Sequence, residues 1–128
     1  MTPQKLIQTA RIQIPTLSGF GAFLNSVSGS FGGDIDPKEV RHCARWIKMF
    51  MRPRKTVNQS RSSYGLKHSV ERWAGHYVAN GAFIAAAVGL GYRFKSLPDR
   101  HSPGPNVCFH ASYTRWDKEQ QALRRSGR

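Results

Sequence analysis

Four cationic side chains recur at three- and four-residue spacing in the segment IDPKEVRHCARWIKMFMR: Arg41, Arg45, Lys48 and Arg52. On an α-helix such residues lie on one face, so they would form a single line of positive charge. Like charges repel at this spacing, and a helix face that only contacts water ordinarily mixes Glu among them. The pattern is typical of a surface that neutralises nucleic-acid phosphates. A plain solvated face is the alternative.

The segment that follows, RPRKTVNQSRSS, adds Arg54, Lys55 and Arg61 among amide and hydroxyl side chains. Arg and Lys neutralise phosphates, while Asn, Gln, Ser and Thr form hydrogen bonds to phosphate and sugar. We predict a loop here that contacts a nucleic-acid backbone without reading its sequence. We also predict that Trp46, at the edge of the charged line, or an exposed Tyr stacks on an unpaired base.

The helix that would carry the charged line has clear start and stop signals. Asp36 is an N-cap, Pro37 takes the first helical position, and Glu39 lies three residues after the cap, as in a capping box. Pro53 would end the helix, which we predict from Pro37 to about Met51. Its apolar positions recur at helical spacing and predict one core-facing side: Val40, Cys43, Ala44, Ile47, Phe50 and Met51.

Two further helices are predicted downstream. Ser62 or Ser63 begins the first, whose Lys67 should point outward and whose apolar stripe comprises Leu66, Val70, Trp73, Ala74 and Tyr77. Asn80 caps the second, GAFIAAAVGL, and Gly91 ends it. No charged or amide side chain occurs in residues 81–91. This helix cannot read base edges by hydrogen bonding, so we expect it to be buried scaffold.

The remaining segments complete the predicted fold. The alternating segments GYRFKSL and VCFHASY predict an antiparallel β-ribbon, and Thr114 caps a short final helix. Residues 1–33 lack acidic side chains and are rich in Gly and Ser, so we predict a flexible arm over 1–34 with a short strand or extended segment in RIQIPTL. A targeting segment is the alternative for this arm. The fold class is a mainly α domain over 35–128, with three to four helices and a possible short β-ribbon near the C-terminus.

Composition limits the class of partner. The 128 residues suit one domain, and 20 Lys and Arg against 7 Asp and Glu give a formal charge of +13. A polyanion would relieve that self-repulsion, with nucleic acid first and an anionic membrane second. No apolar run approaches the roughly 20 residues of a membrane-spanning helix. Two cysteines are too few for a disulfide-stapled secreted scaffold, so we expect a cytoplasmic or nucleoid-associated protein.

Metal binding and catalysis have weak support. His42 with Cys43 and Cys108 with His110 suggest zinc, but adjacent residues seldom bind one metal together, so we predict no metal and no cofactor. A metal-free ribonuclease would use a proton-transferring histidine beside cations, for which the candidates are His68, Glu71, Arg72 and Arg61. Their spacing is ordinary for an exposed helix, and we predict no catalysis.

The sequence therefore predicts electrostatic binding of DNA or RNA through the basic helix and the segment after it. The rival function is a protein-interaction or adaptor domain, possibly homo-oligomeric. It would dock through the small-residue helix GAFIAAAVGL and the Phe-rich arm.

Overall fold

The computed structural model describes residues 1–22, 34–98 and 103–126. In chain order the elements are α1 (Pro3–Gln13), α2 (Pro37–Phe50), β1 (Arg52–Asn58), α3 (Ser63–Ala74), α4 (Asn80–Gly89), β2 (Phe94–Pro98), β3 (Pro103–Ser112) and α5 (Thr114–Ser126). The strands form one antiparallel sheet in the order β1-β3-β2. The predicted class, mainly α with a small sheet, is confirmed. The described ranges hold five helices, more than the three to four expected.

Helix α4 is the centre of the fold. Every residue from Asn80 to Gly89 is buried, and the helix packs against α1 and α2, while its Phe83 ring lies 5.7 Å from that of Phe109 on β3. Glycines allow the main chains to approach closely, because a Cβ atom on Gly89 would lie only 2.6 Å from the carbonyl oxygen of Leu6. The predicted burial of this helix is confirmed. Its N-cap is Ala79, not Asn80 as predicted.

Helix α2 closely follows its prediction. The carboxylate of Asp36 accepts a hydrogen bond of 2.9 Å from the Lys38 amide, and the helix ends at Phe50. The predicted core face is fully buried. Glu39 does not complete a capping box, because its Oε1 accepts from the Ala79 amide at 2.7 Å. That bond fastens α2 to the start of α4.

The N-terminal segment corrects the prediction of a flexible arm. Residues 3–13 form α1, so the strand or extended segment expected in RIQIPTL is wrong where α1 continues to Gln13. Thr2 accepts a hydrogen bond from the Lys5 amide as N-cap, and the buried residues of the helix are Leu6, Ile7 and Ala10. Residues 23–33, which hold much of the predicted arm, lie outside the described residues.

The predicted β-ribbon is confirmed, and a third strand extends it. In the β2–β3 pair, Phe94 lies opposite Phe109 and Lys95 opposite Cys108. The segment expected to be a loop after α2 is instead β1, in which Arg52 lies opposite Ser112. A single residue separates α2 from β1. Since β3 is central, β1 and β2 are the two edges of the sheet.

The other helices close the core around α4. Helix α3 ends at Gly75, whose φ of +73° is the left-handed conformation that glycine favours. On α5, the Trp116 ring packs 5.5 Å from Trp46 and 5.0 Å from Phe50, which joins this helix to α2. Across the described ranges, none of the helices has both the length and the apolar character needed to cross a membrane.

The helix crossing at Gly89 gives a stability prediction. Gly to Ala inside a helix ordinarily stabilises by about 0.5–1 kcal/mol. Here the added methyl group meets the Leu6 carbonyl, so we expect Gly89→Ala to destabilise by about 1–3 kcal/mol. Gly65→Ala in α3 is the matched control, because its nearest neighbour would be Arg61 Cβ at 3.6 Å. Thermal unfolding of the two variants measures this, and equal melting temperatures would contradict the proposed close packing.

Candidate nucleic-acid interface

The charged line of α2 faces away from the core. Arg41, Arg45 and Lys48 are exposed, while the residues on the opposite side of the helix are buried. None of the three forms an ion pair with an acidic residue in the described ranges. Their predicted alignment on one face is confirmed, and contact with phosphate stays a prediction.

The cations after α2 lie on a strand. Arg52 is the first residue of β1, not part of the helix, and its Nη1 donates to the carbonyl oxygens of Lys48 at 3.1 Å and Met51 at 2.7 Å. The Arg54 guanidinium donates to two carbonyl groups within its own strand. Lys55 is exposed. Because a guanidinium has five N–H donors, both arginines keep donors available while their positions are restrained.

The structure contradicts the predicted stacking role of Trp46. Its side chain is 0% exposed and its ring packs against Phe50, Phe83 and Trp116. The indole fills the junction of α2 with α4 and α5, where no base can reach it. The described residues include two exposed tyrosines, Tyr64 and Tyr77, and a stacking role for either stays a prediction. The expected place of Tyr77 on the apolar stripe is wrong, because α3 ends at Ala74 and the Tyr77 side chain is exposed.

Arg61 lies two residues before α3 and has a structural partner. Its Nη2 donates to Asp117 Oδ1 at 2.7 Å, and its guanidinium lies 5.4 Å from the centre of the Tyr113 ring. These contacts join the start of α3 to α5. The side chain is still about one-third exposed, so it can contribute positive charge to the surface.

A basic groove of about 340 Å³ lies between α3 and α5. It is lined by Arg61, Gly65, His68, Ser69, Arg72, Trp116, Gln120 and Arg124. Arg72 and Arg124 are exposed and have no acidic partner within the described part of the chain. The predicted site did not include α5. The sequence feature that could have indicated a role for α5 is the four-residue spacing of Trp116, Gln120 and Arg124. This spacing puts a buried ring, an amide and a cation on one helix face.

The carboxylate of Glu71 is held inside a cluster of donors. Burial by itself would raise the pKa of Glu71, but hydrogen bonds from Lys67, the Val78 amide and His68 lower it below its ordinary range. Glu71 is therefore ionised at neutral pH. Lys67, predicted to point outward, is only 5% exposed because its ammonium group lies 3.0 Å from this carboxylate.

A histidine pair joins α2 to the segment after α3. The rings of His42 and His76 stack 4.9 Å apart. Burial, followed by the nearby charges of His76, Arg45 and Arg41, lowers the pKa of His42. Nowhere in the described ranges do three or more His, Cys, Asp or Glu side chains come together in a group able to hold a metal ion.

The two cysteines are buried in different elements. Cys43 lies on α2 and Cys108 on β3, and both are free thiols. Burial raises the pKa of both, so each is protonated at neutral pH. Cys108 points its sulfur toward the carbonyl oxygen of Arg61 at 3.5 Å, and the ring of His110 lies 2.9 Å from the carbonyl oxygen of Lys55. Both side chains thus contact main-chain carbonyl groups, and the four residues considered for zinc do not come together as a group of metal ligands.

A second cavity, of about 600 Å³, opens beside the basic groove. Its lining residues are Gly19, Phe20, Tyr64, Lys67, Tyr77, Asn80 and Asn106. This cavity was not predicted from the sequence, because its lining residues come from four separate segments of the chain. Asn80, expected as a helix cap, instead donates to the Phe20 carbonyl oxygen at 2.9 Å and to Asn106 Oδ1 at 3.0 Å.

No known protein family matches this chain, and neither the curated proteins nor the solved structures contain a match.

The histidine pair predicts how stability depends on pH. Because the pKa of His42 in the folded protein is below its ordinary value of 6.5, the unfolded chain binds a proton more readily. The contribution of His42 to the free energy of unfolding is therefore fully present well above pH 6.5, and it is lost as the pH falls through the lowered pKa of His42. We expect a lower melting temperature at pH 5.5 than at pH 7.5, and a smaller difference in His42→Gln. An unchanged pH dependence in that variant would show that this stack does not cause the effect.

Proposed function

We propose that the protein binds nucleic acid through its phosphate groups, without catalysis. The observation that supports this proposal is the set of contacts that the described acidic residues make. Five of them are engaged by other groups of the protein: Asp36, Glu39, Glu71, Asp117 and Glu119. In the described ranges no acidic residue forms an ion pair with the cations on the outer face of α2 or on β1, and a polyanion supplies the missing negative charge.

Two surfaces carry these cations. The first is the outer face of α2 with the adjoining β1, and the second is the groove between α3 and α5. Both rest on regular secondary structure, so the cations keep a defined spacing. Arg and Lys contacts to phosphates give affinity with little dependence on base sequence. The proposal is accordingly general binding of DNA or RNA.

The adaptor alternative has less support in the described residues. Helix α4, which was expected to offer a small-residue docking face, is buried along its whole length. Of the Phe-rich arm, Phe20 is described and exposed, whereas Phe23 and Phe31 lie outside the described residues. Although the groove brings His68 together with Arg61 and Arg72, we favour binding over cleavage because, among the described residues, no second histidine lines it.

The first binding test removes the charged line of α2. We expect Arg41→Gln, Arg45→Gln and Lys48→Gln together to keep or raise the melting temperature, since the three side chains repel one another and pair with no acidic residue that the structure describes. Affinity for random duplex should fall. A plot of log affinity against log salt should be shallower by up to about three, because the slope is roughly 0.9 per phosphate contact. Wild-type affinity and slope would contradict a role for α2.

The second binding test compares the groove between α3 and α5 with the outer face of α5. Arg72→Gln with Arg124→Gln removes two groove charges, and Lys118→Gln with Arg125→Gln removes two charges from the side of α5 away from the buried Trp116. We expect the first pair to weaken binding and lower the salt slope more than the second. Titrations at several salt concentrations measure both. Equal losses would mean that the net charge matters and the groove does not.

A further inference from the structure

Exposed aromatic side chains converge on the cavity beside the groove. Phe20 is 61%, Tyr64 51% and Tyr77 68% exposed, and all three line it. In the described ranges the other large exposed aromatic residue is Trp73, which does not line this cavity. Single exposed aromatics are ordinary, but three around one cavity indicate a binding surface. The volume of about 600 Å³ lies within the usual range for small-molecule sites.

Polar groups complete the walls of the cavity. The Lys67 ammonium lies 5.2 Å from the centre of the Tyr64 ring and 4.7 Å from that of Tyr77, while Glu71 balances its charge. These contacts restrain the two rings. Because Asn106 accepts from Asn80 through Oδ1, its Nδ2 is the part of that amide left to donate to a ligand. The cavity thus combines aromatic faces with N–H donors.

The cavity and the basic groove meet on one turn of α3. Tyr64 lines the cavity and His68 lines the groove, and their rings are in edge contact with centres 4.5 Å apart. Residues four apart on a helix have Cβ atoms about 5–6 Å apart. A ligand with a flat ring in the cavity can therefore extend an anionic group past His68 into the groove. A nucleotide within a chain has both parts.

We propose that the cavity binds one unpaired nucleobase of a single-stranded nucleic acid, with the neighbouring phosphate on the groove cations. This inference rests on the proposed function and names its substrate class. Aromatic faces bind bases by stacking, and N–H donors suit a base with carbonyl acceptors, such as thymine or uracil. Bases inside a duplex are already stacked and paired, so they cannot enter.

The test compares oligo(dT) with an abasic polymer of equal length, which has the same phosphates but no bases. Wild-type protein should bind both and favour oligo(dT) by about tenfold. Tyr77→Ala should lose that preference and keep its affinity for the abasic polymer, whereas Tyr77→Phe should behave as wild type. Tyr77 is exposed and lies beyond the end of α3, so the fold should tolerate both changes. Tyr64→Leu changes a second aromatic residue of the cavity, and it should also lose the preference for oligo(dT).

The control is Trp73→Leu, which changes an exposed aromatic outside the cavity and should preserve the preference for oligo(dT). Equal wild-type affinity for the two polymers would overturn the inference and leave the proposed function intact. A loss of preference in Trp73→Leu as large as in Tyr77→Ala, or an equal loss for both polymers in Tyr77→Ala, would also overturn it. Binding to neither polymer would overturn this inference, and a failure to bind random duplex as well would refute the proposed function itself.

Discussion

The close approach of main chains around α4 is the constraint on which the other elements depend. Helix α1 lies near Gly89, and Gly81 at the other end of α4 faces the backbone of Ser18 without room for a methyl group. With small residues along much of its length, α4 allows both α1 and α2 to pack closely. Phe83 then reaches the sheet. A helix with almost no polar side chains thereby sets where the charged elements lie.

Much of the fold was predictable where local signals and hydrophobic periodicity agree. Asp36 and Pro37 mark the start of α2, and alternation marks the pairing of β2 with β3. Helix α1 carries a similar start signal in Thr2 and Pro3, but the lack of acidic side chains and the neighbouring Gly- and Ser-rich segment favoured an arm. The sequence of strand β1 does not alternate between apolar and polar residues. Most of its side chains are exposed, so neither face of the strand needs to be apolar. Its pairing with β3 depends on contacts distant in sequence, which local patterns do not contain.

The positive charge of the candidate site was predictable from the sequence, but the burial of its individual side chains was not. Three residues of α2 face outward as their spacing indicates. Trp46, only one position from the charged Arg45, is turned into the core by its packing with Trp116. Lys67 is buried because Glu71 and two tyrosine rings surround its ammonium group. A sequence pattern assigns residues to faces of a helix, and only the tertiary arrangement decides what covers each face.

Strand β1 also affects whether two copies of this protein can associate through their sheet edges. It is an edge strand, and an uncovered edge is a template for β-sheet extension between molecules. Pro53 lacks an N–H group, and Arg54 and Lys55 would put like charges against a second copy. The cations that we propose to contact phosphate thus also discourage aggregation through this edge. A bound polyanion would screen that repulsion and leave Pro53 as the remaining obstacle to pairing.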